Sequence, residues 1–222
     1  MKTGKIIPPL AIAAVFALIG ATRAFAQTDD RPVRWHIAGG YSETTGRTSD
    51  YLQGGWIVSG GLTWRPQPTQ PWALRLDAHY SDYDATNRLI NEGTVATQRR
   101  IDDGNGSTLG LDLNGVLDVP FGESVRGYVT AGVGIDRRRV ELTQVVLFNG
   151  VLCDPWWGFC GIGAVAGDRI VASDTTTRFA WNAGLGVEFE LARSTMFVQA
   201  TYHRIETARP TEYVPIEVGL RF

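Results

Sequence analysis

A histidine and a serine stand two positions apart in the segment His79-Tyr80-Ser81-Asp82. A histidine that accepts the proton of a serine hydroxyl can make that oxygen a nucleophile for acyl transfer. Residues two apart on a β-strand point to the same side, so an extended segment would bring His79 and Ser81 together. A catalytic pair is one interpretation. A hydrogen-bonded network of structural side chains is the one we favour.

The chain contains three histidines, His36, His79 and His203. Imidazole is a good ligand for Zn and Cu, so a shared metal site is one hypothesis. The strand pattern, however, places His36 near one end of the fold and the other two near the opposite end. We therefore predict histidines satisfied by hydrogen bonds, with no metal site, no cofactor and no catalytic residue.

The elements that position these residues are β-strands, because apolar side chains alternate with small or charged ones and no helical stripe is found. In the third strand Leu76 and Tyr80 share one face, which puts His79 and Ser81 on the opposite, polar face. Eight such segments can be assigned, at residues 34–42, 56–65, 72–81, 109–118, 125–136, 179–190, 196–203 and 213–222. The residues predicted to form ion pairs on the polar face are Arg34, Arg65, Arg75, Arg126 and Arg221 with Asp77, Asp112, Asp118, Glu188, Glu190 and Glu217.

Three features favour a membrane barrel over a soluble sandwich or a lipocalin-like barrel, which would show the same alternation. The connections after the second, fourth and sixth strands are short, whereas the one from about residue 137 to 176 is long. Aromatic residues gather at both ends of the strands, and the polar face is too charged for a soluble core. About ten residues at roughly 3.3 Å rise and 45° tilt cover about 23 Å, close to the height of an apolar membrane band. The sequence thus predicts an all-β fold, an eight-stranded antiparallel up-and-down transmembrane β-barrel filled by its own side chains.

The amino-terminal segment has the pattern of an export signal. Lys2 and Lys5 precede an apolar stretch at residues 6–20, and Ala24-Phe25-Ala26 offers a small-x-small cleavage site. We predict a cleaved signal peptide at residues 1–26 and a single barrel domain at residues 27–222. The chain has 21 basic and 23 acidic residues, and three of the basic ones precede residue 27, which leaves a net charge of −5. That charge argues against a nucleic-acid partner.

The only two cysteines, Cys153 and Cys160, flank the sequence Asp-Pro-Trp-Trp-Gly-Phe. This pair lacks the further ligands of a zinc site, and thiols of exported proteins are usually oxidised, so we predict a disulfide. The bridge would staple a loop, or present the aromatic residues to a ligand, a partner or another copy. Asn149-Gly150 predicts a hairpin tip, with the fifth and sixth strands extending beyond the membrane.

Several segments resemble the small outer-membrane β-barrel superfamily that contains the outer-membrane protein A barrel and the protein X and protein W types. They are residues 127–134, residues 181–191, Tyr202-His203-Arg204 and the ending Gly219-Leu220-Arg221-Phe222. The resemblance implies export through the periplasm to the cell outer membrane. It also implies that the barrel-assembly machinery recognises Phe222 as an assembly signal. We expect a monomer in contact with outer-membrane lipids and lipopolysaccharide.

That superfamily includes structural, adhesive, small-molecule-passage and lipid-modifying members. We predict a non-enzymatic structural or surface role, in envelope integrity, adhesion or ligand contact. The alternatives are a narrow passage for small molecules and a lipid A-modifying enzyme. His79 and Ser81 resemble the His-x-Ser motif of outer-membrane lipid A deacylases, a lipid A acyl hydrolase activity. In that family, however, the motif faces lipid from the penultimate strand.

Three consecutive arginines, Arg137, Arg138 and Arg139, follow the fifth strand just above its predicted outer end. Guanidinium groups bind phosphate through paired hydrogen bonds, so the run is a candidate contact for lipopolysaccharide. A solvated or cross-paired run is the alternative. Asp102-Asp103-Gly104-Asn105-Gly106 is predicted to be a turn, and it lacks the ligand spacing of an EF-hand calcium loop.

Overall fold

Eight antiparallel strands close into a barrel in the computed structural model of the chain. The structure describes residues 32–67, 69–120, 125–154, 159–191 and 194–222, and at Pro120 and within 147–154 and 159–168 it describes the backbone alone. The predicted signal peptide, residues 1–26, lies outside the described residues. The predicted eight-stranded antiparallel barrel is confirmed. The strands are β1 (Val33–Thr45), β2 (Leu52–Trp64), β3 (Trp72–Ala85), β4 (Asp103–Pro120), β5 (Val125–Asp154), β6 (Phe159–Glu190), β7 (Thr195–Ile205) and β8 (Thr211–Arg221).

The two faces of the barrel wall differ in chemistry as the alternation predicts. Leu109, Leu111 and Leu113 of β4 point outward, and each leaves more than half of its surface exposed. Asp112 and Asn114 of the same strand point inward and are buried. An apolar outer wall around a polar interior is typical of barrels that span a bilayer.

The barrel closes along a seam between β1 and β8, with His36 opposite Arg221. At the end of this seam Phe222 N–H donates to the Trp35 carbonyl at 2.9 Å, and Trp35 N–H donates to the Phe222 carbonyl at 3.2 Å. The two rings stack with their centroids 4.4 Å apart. These contacts join the last strand to the first, as the predicted closed barrel requires.

Aromatic side chains form a belt at each end of the outer wall, as predicted. One belt lies at the short-turn end, where β2 connects to β3 and where Phe222 lies. The other lies at the long-loop end, where β1 connects to β2. Amphipathic rings prefer the two interfaces of a membrane. The paired rings are Trp35 with Phe222 and Trp64 with Trp72 at the short-turn end, and Trp56 with Tyr80 and Trp181 with Tyr202 at the long-loop end.

A short helix in the connection from β3 to β4 was not predicted. Helix α1 (Asn87–Thr97) begins after Thr86, whose side chain accepts a hydrogen bond from Leu89 N–H at 3.4 Å, and it ends at Gln98, which has a left-handed φ of 53°. Gly93 is its only buried residue. The helix therefore has no apolar stripe to reveal it in the sequence. No helix in the described residues is long and apolar enough to cross a membrane.

Strands β5 and β6 continue well beyond their neighbours as a two-stranded ribbon. Pairing of β4 with β5 ends at Thr143, and pairing of β6 with β7 ends at Ala180. The two strands nevertheless stay paired up to Asp154 opposite Phe159. The segment expected to be a long connection is therefore mostly strand, and the predicted extension of these two strands is confirmed.

Two predicted turns are wrong. Asn149 and Gly150 lie inside the ribbon, opposite Ala164 and Gly163, so the ladder passes the predicted hairpin tip without reversing. Likewise β4 begins at Asp103, so most of the predicted turn at residues 102–106 is strand, with Gly104 opposite Leu142. In both places the pairing partner outweighs the local turn preference of Asn and Gly.

Candidate functional site in the barrel lumen

Charged side chains fill the middle of the lumen. Arg75 and Asp77, two residues apart on β3 and therefore on the same face, are both buried, with Arg75 Nε 2.7 Å from Asp77 Oδ2. Asp77 also accepts a hydrogen bond from Asn114 Nδ2 at 2.6 Å, and its Oδ1 lies 3.1 Å from His36 Nε2. A buried carboxylate is stable only when it is paired and hydrogen-bonded. We therefore interpret this cluster as a structural one.

A second set of contacts ties opposite walls of the barrel together. Arg75 Nη1 and the Tyr128 hydroxyl both donate to Gln199 Oε1, at 3.2 and 3.0 Å. Gln199 Nε2 donates to Glu217 Oε2 at 2.7 Å, and the Ser59 hydroxyl donates to the other Glu217 oxygen. The chain of contacts thus runs from β3 through β7 and β8 to β2. The roles of Gln199 and Tyr128 were not predicted, because an uncharged residue on the inward face gives no sign of a partner.

Ion pairs continue towards the short-turn end of the lumen. Arg221 and Glu188, both buried, are in direct contact. The Arg65–Asp118 and Arg126–Glu190 pairs lie nearer the rim, each at 2.6 Å. The prediction that inward charges pair with each other is confirmed for these residues.

His79 lies between two buried carboxylates. Its Nδ1 is 3.2 Å from Asp112 Oδ2, and its Nε2 is 3.3 Å from Asp136 Oδ1. The Tyr213 hydroxyl is 3.1 Å from His79 Nε2, and it donates to Asp136 Oδ2 at 3.4 Å. Gly110 of β4 is paired with His79 of β3 on one side and with Asp136 of β5 on the other. A Cβ at Gly110 would overlap both side chains, so the glycine lets them meet.

Ser81 does not form an accessible catalytic pair with His79. It is fully buried on the lumen side, as the strand pattern predicts. Both ring nitrogens of His79 already face carboxylates or Tyr213. An acyl ester of a lipid would approach from the outer wall, where neither side chain is exposed. The geometry fits the interior network and gives the enzyme alternative no support.

His203 joins this cluster from the opposite wall. Its ring centroid is 5.2 Å from that of His79, and its ring stacks on Tyr213 at 5.0 Å. With Asp136, the two histidines form a group whose ligand atoms all lie within 4.8 Å of one another. His79 and His203 therefore lie close together, whereas His36 lies apart from them and pairs with Asp77. The presence of Asp136 beside His79 and His203 was not predicted.

Little empty space remains in the described lumen. A cavity of about 20 Å³, enough for one water molecule, is lined by residues that include Arg75, His79 and His203. A buried apolar cluster lies towards the long-loop end of the lumen. This filled interior is what eight strands are expected to enclose, and it does not favour a passage for small molecules. The members of the apolar cluster are Leu52, Tyr83, Ala180, Ile205 and Tyr213.

The three arginines lie within β5 and not after it, because the strand extends further than predicted. Arg138 faces inward and donates from Nη1 to Thr211 Oγ1 at 2.7 Å. Arg137 and Arg139 face outward and are exposed, and Arg139 lies 2.5 Å from Glu141. Successive residues of a strand point to opposite faces, so the run cannot act as one clamp.

Cys153 and Cys160 stand directly opposite each other in the β5–β6 ladder. Opposed Cα atoms in an antiparallel pair lie about 4.5–5.5 Å apart, within the range that a disulfide spans. The backbone is thus compatible with the disulfide, which stays a prediction. The tryptophans between the two cysteines lie outside the described residues.

Residues 11–219 match the sequence profile of a family described as "Outer membrane protein beta-barrel domain". The chain belongs to this family. Its members are outer-membrane proteins, so the outer wall with its two aromatic belts is the lipid-facing surface of an integral outer-membrane β-barrel. The predicted family resemblance and the predicted outer-membrane location are confirmed. No curated protein matches the chain.

Solved structures similar to this outer-membrane barrel share little of its sequence. Neisserial surface protein A has 11% identity and a TM-score of 0.54, over 86% of this chain and 96% of that one. Ail of Yersinia pestis, solved with a heparin analogue, has 13% identity and a TM-score of 0.45, over 86% and 100%. The barrel domain of Pseudomonas aeruginosa OprF has 12% identity and a TM-score of 0.41, over 87% and 100%. At such identities the neisserial protein supports the fold alone.

Proposed function

We propose that the protein is a non-enzymatic surface protein, in which a filled barrel anchors an extended β5–β6 ribbon outside the cell. The observation that carries this proposal is the length of the ribbon. From Thr143 to Asp154 the pairing with β6 continues after β4 has ended. About eleven residues at roughly 3.3 Å rise extend some 35 Å past that point.

The direction of the ribbon supports a surface role. It leaves the barrel at the long-loop end, opposite the short-turn end where Phe222 and Trp35 close the wall. Bacterial barrels place their short turns in the periplasm and their long loops outside. This direction supports a ribbon that makes contacts outside the cell, and the predicted Cys153–Cys160 disulfide would hold its far part together.

Exposed arginines on the outer wall suggest which molecules the protein contacts. Arg137 is exposed on that wall near the long-loop end, where it could bind a lipopolysaccharide phosphate. Arg139 is also exposed, but it lies 2.5 Å from Glu141, so any phosphate would share it with that carboxylate. We propose a monomer that contacts lipopolysaccharide and outer-membrane lipids and has no nucleic-acid partner. Cleavage of residues 1–26 and recognition of Phe222 by the barrel-assembly machinery complete the proposal.

Trimming the ribbon tests this function directly. Gln144 and Arg169 are opposite each other in the ladder, so residues 145–168 can be replaced by a two-residue Asn-Gly turn. The trimmed barrel should still migrate faster unboiled than boiled on a detergent gel. Cells that produce it should lose attachment to a panel of immobilised matrix proteins and polysaccharides, and their lipid A masses should equal those of cells with the full-length protein.

A matched control is Val95→Ser, because Val95 is exposed on helix α1 of a neighbouring outer loop. It should leave attachment unchanged. Equal attachment by full-length and trimmed proteins, together with detergent sensitivity in cells that lack the protein, would instead favour a role in envelope integrity. A lipid A mass that depends on His79 would contradict the non-enzymatic proposal.

Removal of Phe222 should impair assembly in the outer membrane. The deletion removes the ring that stacks on Trp35 and two backbone hydrogen bonds of the seam, as well as the proposed assembly signal. We expect the folded, heat-modifiable form to fall several-fold in cell envelopes. Phe222→Tyr keeps the ring and the backbone bonds and should assemble normally. Equal amounts of folded deletion variant and wild type would argue against the signal.

A further inference from the structure

We propose that the lumen holds one divalent transition-metal ion, best suited to Zn²⁺, between His79, His203 and Asp136. These three buried residues come from β3, β7 and β5, and one ligand atom of each lies within 4.8 Å of the other two. The site belongs to the barrel interior and does not depend on the role of the ribbon.

The donor set suits zinc. Two imidazoles and one carboxylate, with the fourth position open, form a common tetrahedral zinc arrangement. Two groups are available for that fourth position. One is the Tyr213 hydroxyl, 3.1 Å from His79 Nε2, and the other is a water in the adjacent cavity of about 20 Å³ that His79 and His203 line.

Two of the three converging residues carry a buried polar atom without a partner, which is consistent with a ligand between them. Asp136 Oδ1 and His203 Nδ1 are buried and have no hydrogen-bond partner, as is also true of other lumen atoms such as His36 Nδ1. His203 Nδ1 lies 3.9 Å from Asp112 Oδ2, too far for a hydrogen bond. Asp136 Oδ1 lies 3.3 Å from His79 Nε2, close enough for an ion pair. The angles between these two groups do not, however, allow a hydrogen bond. A buried polar atom without a partner destabilises the folded state, so such atoms usually have an explanation. A metal ion bound by both residues would supply one.

The surroundings of the three residues match those of known metal sites in general. The other nitrogen of His79 lies 3.2 Å from Asp112 Oδ2, and a carboxylate behind a metal-bound imidazole fixes the orientation of its ring. Asp112 and Asp136 are both buried, and the ion pairs described for them involve histidines only. A divalent cation would balance these two carboxylates. Gly110 keeps the space between His79 and Asp136 open.

Metal content of the refolded protein tests the proposal. Protein without a histidine tag, carrying Cys153→Ser and Cys160→Ser to remove thiol ligands, would be refolded into detergent with Zn²⁺ or with EDTA. After desalting, the zinc per chain would be measured by mass spectrometry. We expect one Zn²⁺ per folded chain and a higher melting temperature than after refolding in EDTA. Refolding with Co²⁺ should give the visible absorption of a tetrahedral site.

His203→Gln and His36→Gln form the matched pair of variants. Both histidines are buried and have an Nδ1 without a hydrogen-bond partner, but His203 lies in the site, whereas His36 pairs with Asp77 outside it. We expect zinc and the cobalt spectrum to disappear in the first variant and to persist in the second. A folded wild-type barrel without stoichiometric zinc would overturn the proposal, and so would zinc retained by a folded His203→Gln variant. If His203→Gln does not fold, the wild-type stoichiometry and cobalt spectrum decide.

Discussion

Replacement of Arg75 by methionine should lower the free energy of unfolding by about 3–5 kcal/mol. Arg75 is buried in the lumen, where its Nε holds Asp77 at 2.7 Å and its Nη1 reaches Gln199. Methionine fills much of the same volume but leaves the Asp77 carboxylate with only His36 and Asn114. Urea unfolding in phospholipid vesicles, followed by tryptophan fluorescence, would measure the change.

The double variant Arg75→Met, Asp77→Asn separates the lost pair from the stranded charge. If the carboxylate causes most of the loss, the double variant should be more stable than Arg75→Met alone. Arg126→Met is the matched control, because the Arg126–Glu190 pair is much more exposed than Arg75–Asp77, with 33% and 55% of its side-chain surfaces exposed, and exposed pairs contribute about 0–1 kcal/mol. A loss in Arg75→Met as small as that of the control would show that the lumen compensates Asp77 by other means.

Replacement of Leu113 by arginine should destabilise the barrel by about 2–4 kcal/mol in a bilayer. Leu113 faces lipid with 53% of its surface exposed. On β4 it lies halfway between Leu109, opposite Tyr80 of one aromatic belt, and Leu117, opposite Trp72 of the other. A charge at the middle of the hydrocarbon layer has no water within easy reach, which is why the cost is highest there.

The same strand offers the control for this prediction. Leu117→Arg puts the same side chain on the same face at the level of the belt, where the expected cost falls to about 0–1 kcal/mol. Unfolding titrations of both variants in vesicles and in detergent would compare them. Equal losses at the two positions would contradict a lipid-facing wall at this depth, because a soluble environment has no such gradient.

Alternation along the chain was sufficient to predict the wall of the barrel. Successive side chains of a strand point to opposite faces of the sheet. Leu113 could therefore be assigned to the outer face and Asp112 to the inner face from the sequence alone. Helix α1 could not be found this way, because only Gly93 is buried and the capping of Leu89 by Thr86 is a weak local signal. The ribbon was predicted only in outline, since Asn149-Gly150 is a turn signal that β-sheet pairing overrides.

The lumen cluster needed information that alternation does not contain. Parity puts His79, Asp136 and His203 on the inner face, but a slip of two residues between neighbouring strands would keep the parity and separate them. Only the pairing register of β3 with β4 and of β4 with β5 shows that His79, Gly110 and Asp136 are side by side. His203 reaches them from β7 across the lumen, and no pattern along the chain reports a distance across a barrel.

The seam between β1 and β8 also affects how quickly the fold can form. Seven of the eight strand pairings join strands that are adjacent in the sequence, so each can arise as a local hairpin, and even the β3–β4 hairpin closes only the connection of residues 86–102. The eighth joins Trp35 to Phe222, nearly the whole described chain apart, and has to overcome the largest loop-closure entropy. Until it forms, β1 and β8 are open sheet edges whose backbone groups can pair with another chain. The step that completes the cylinder therefore also ends the period in which the protein is most exposed to misassembly.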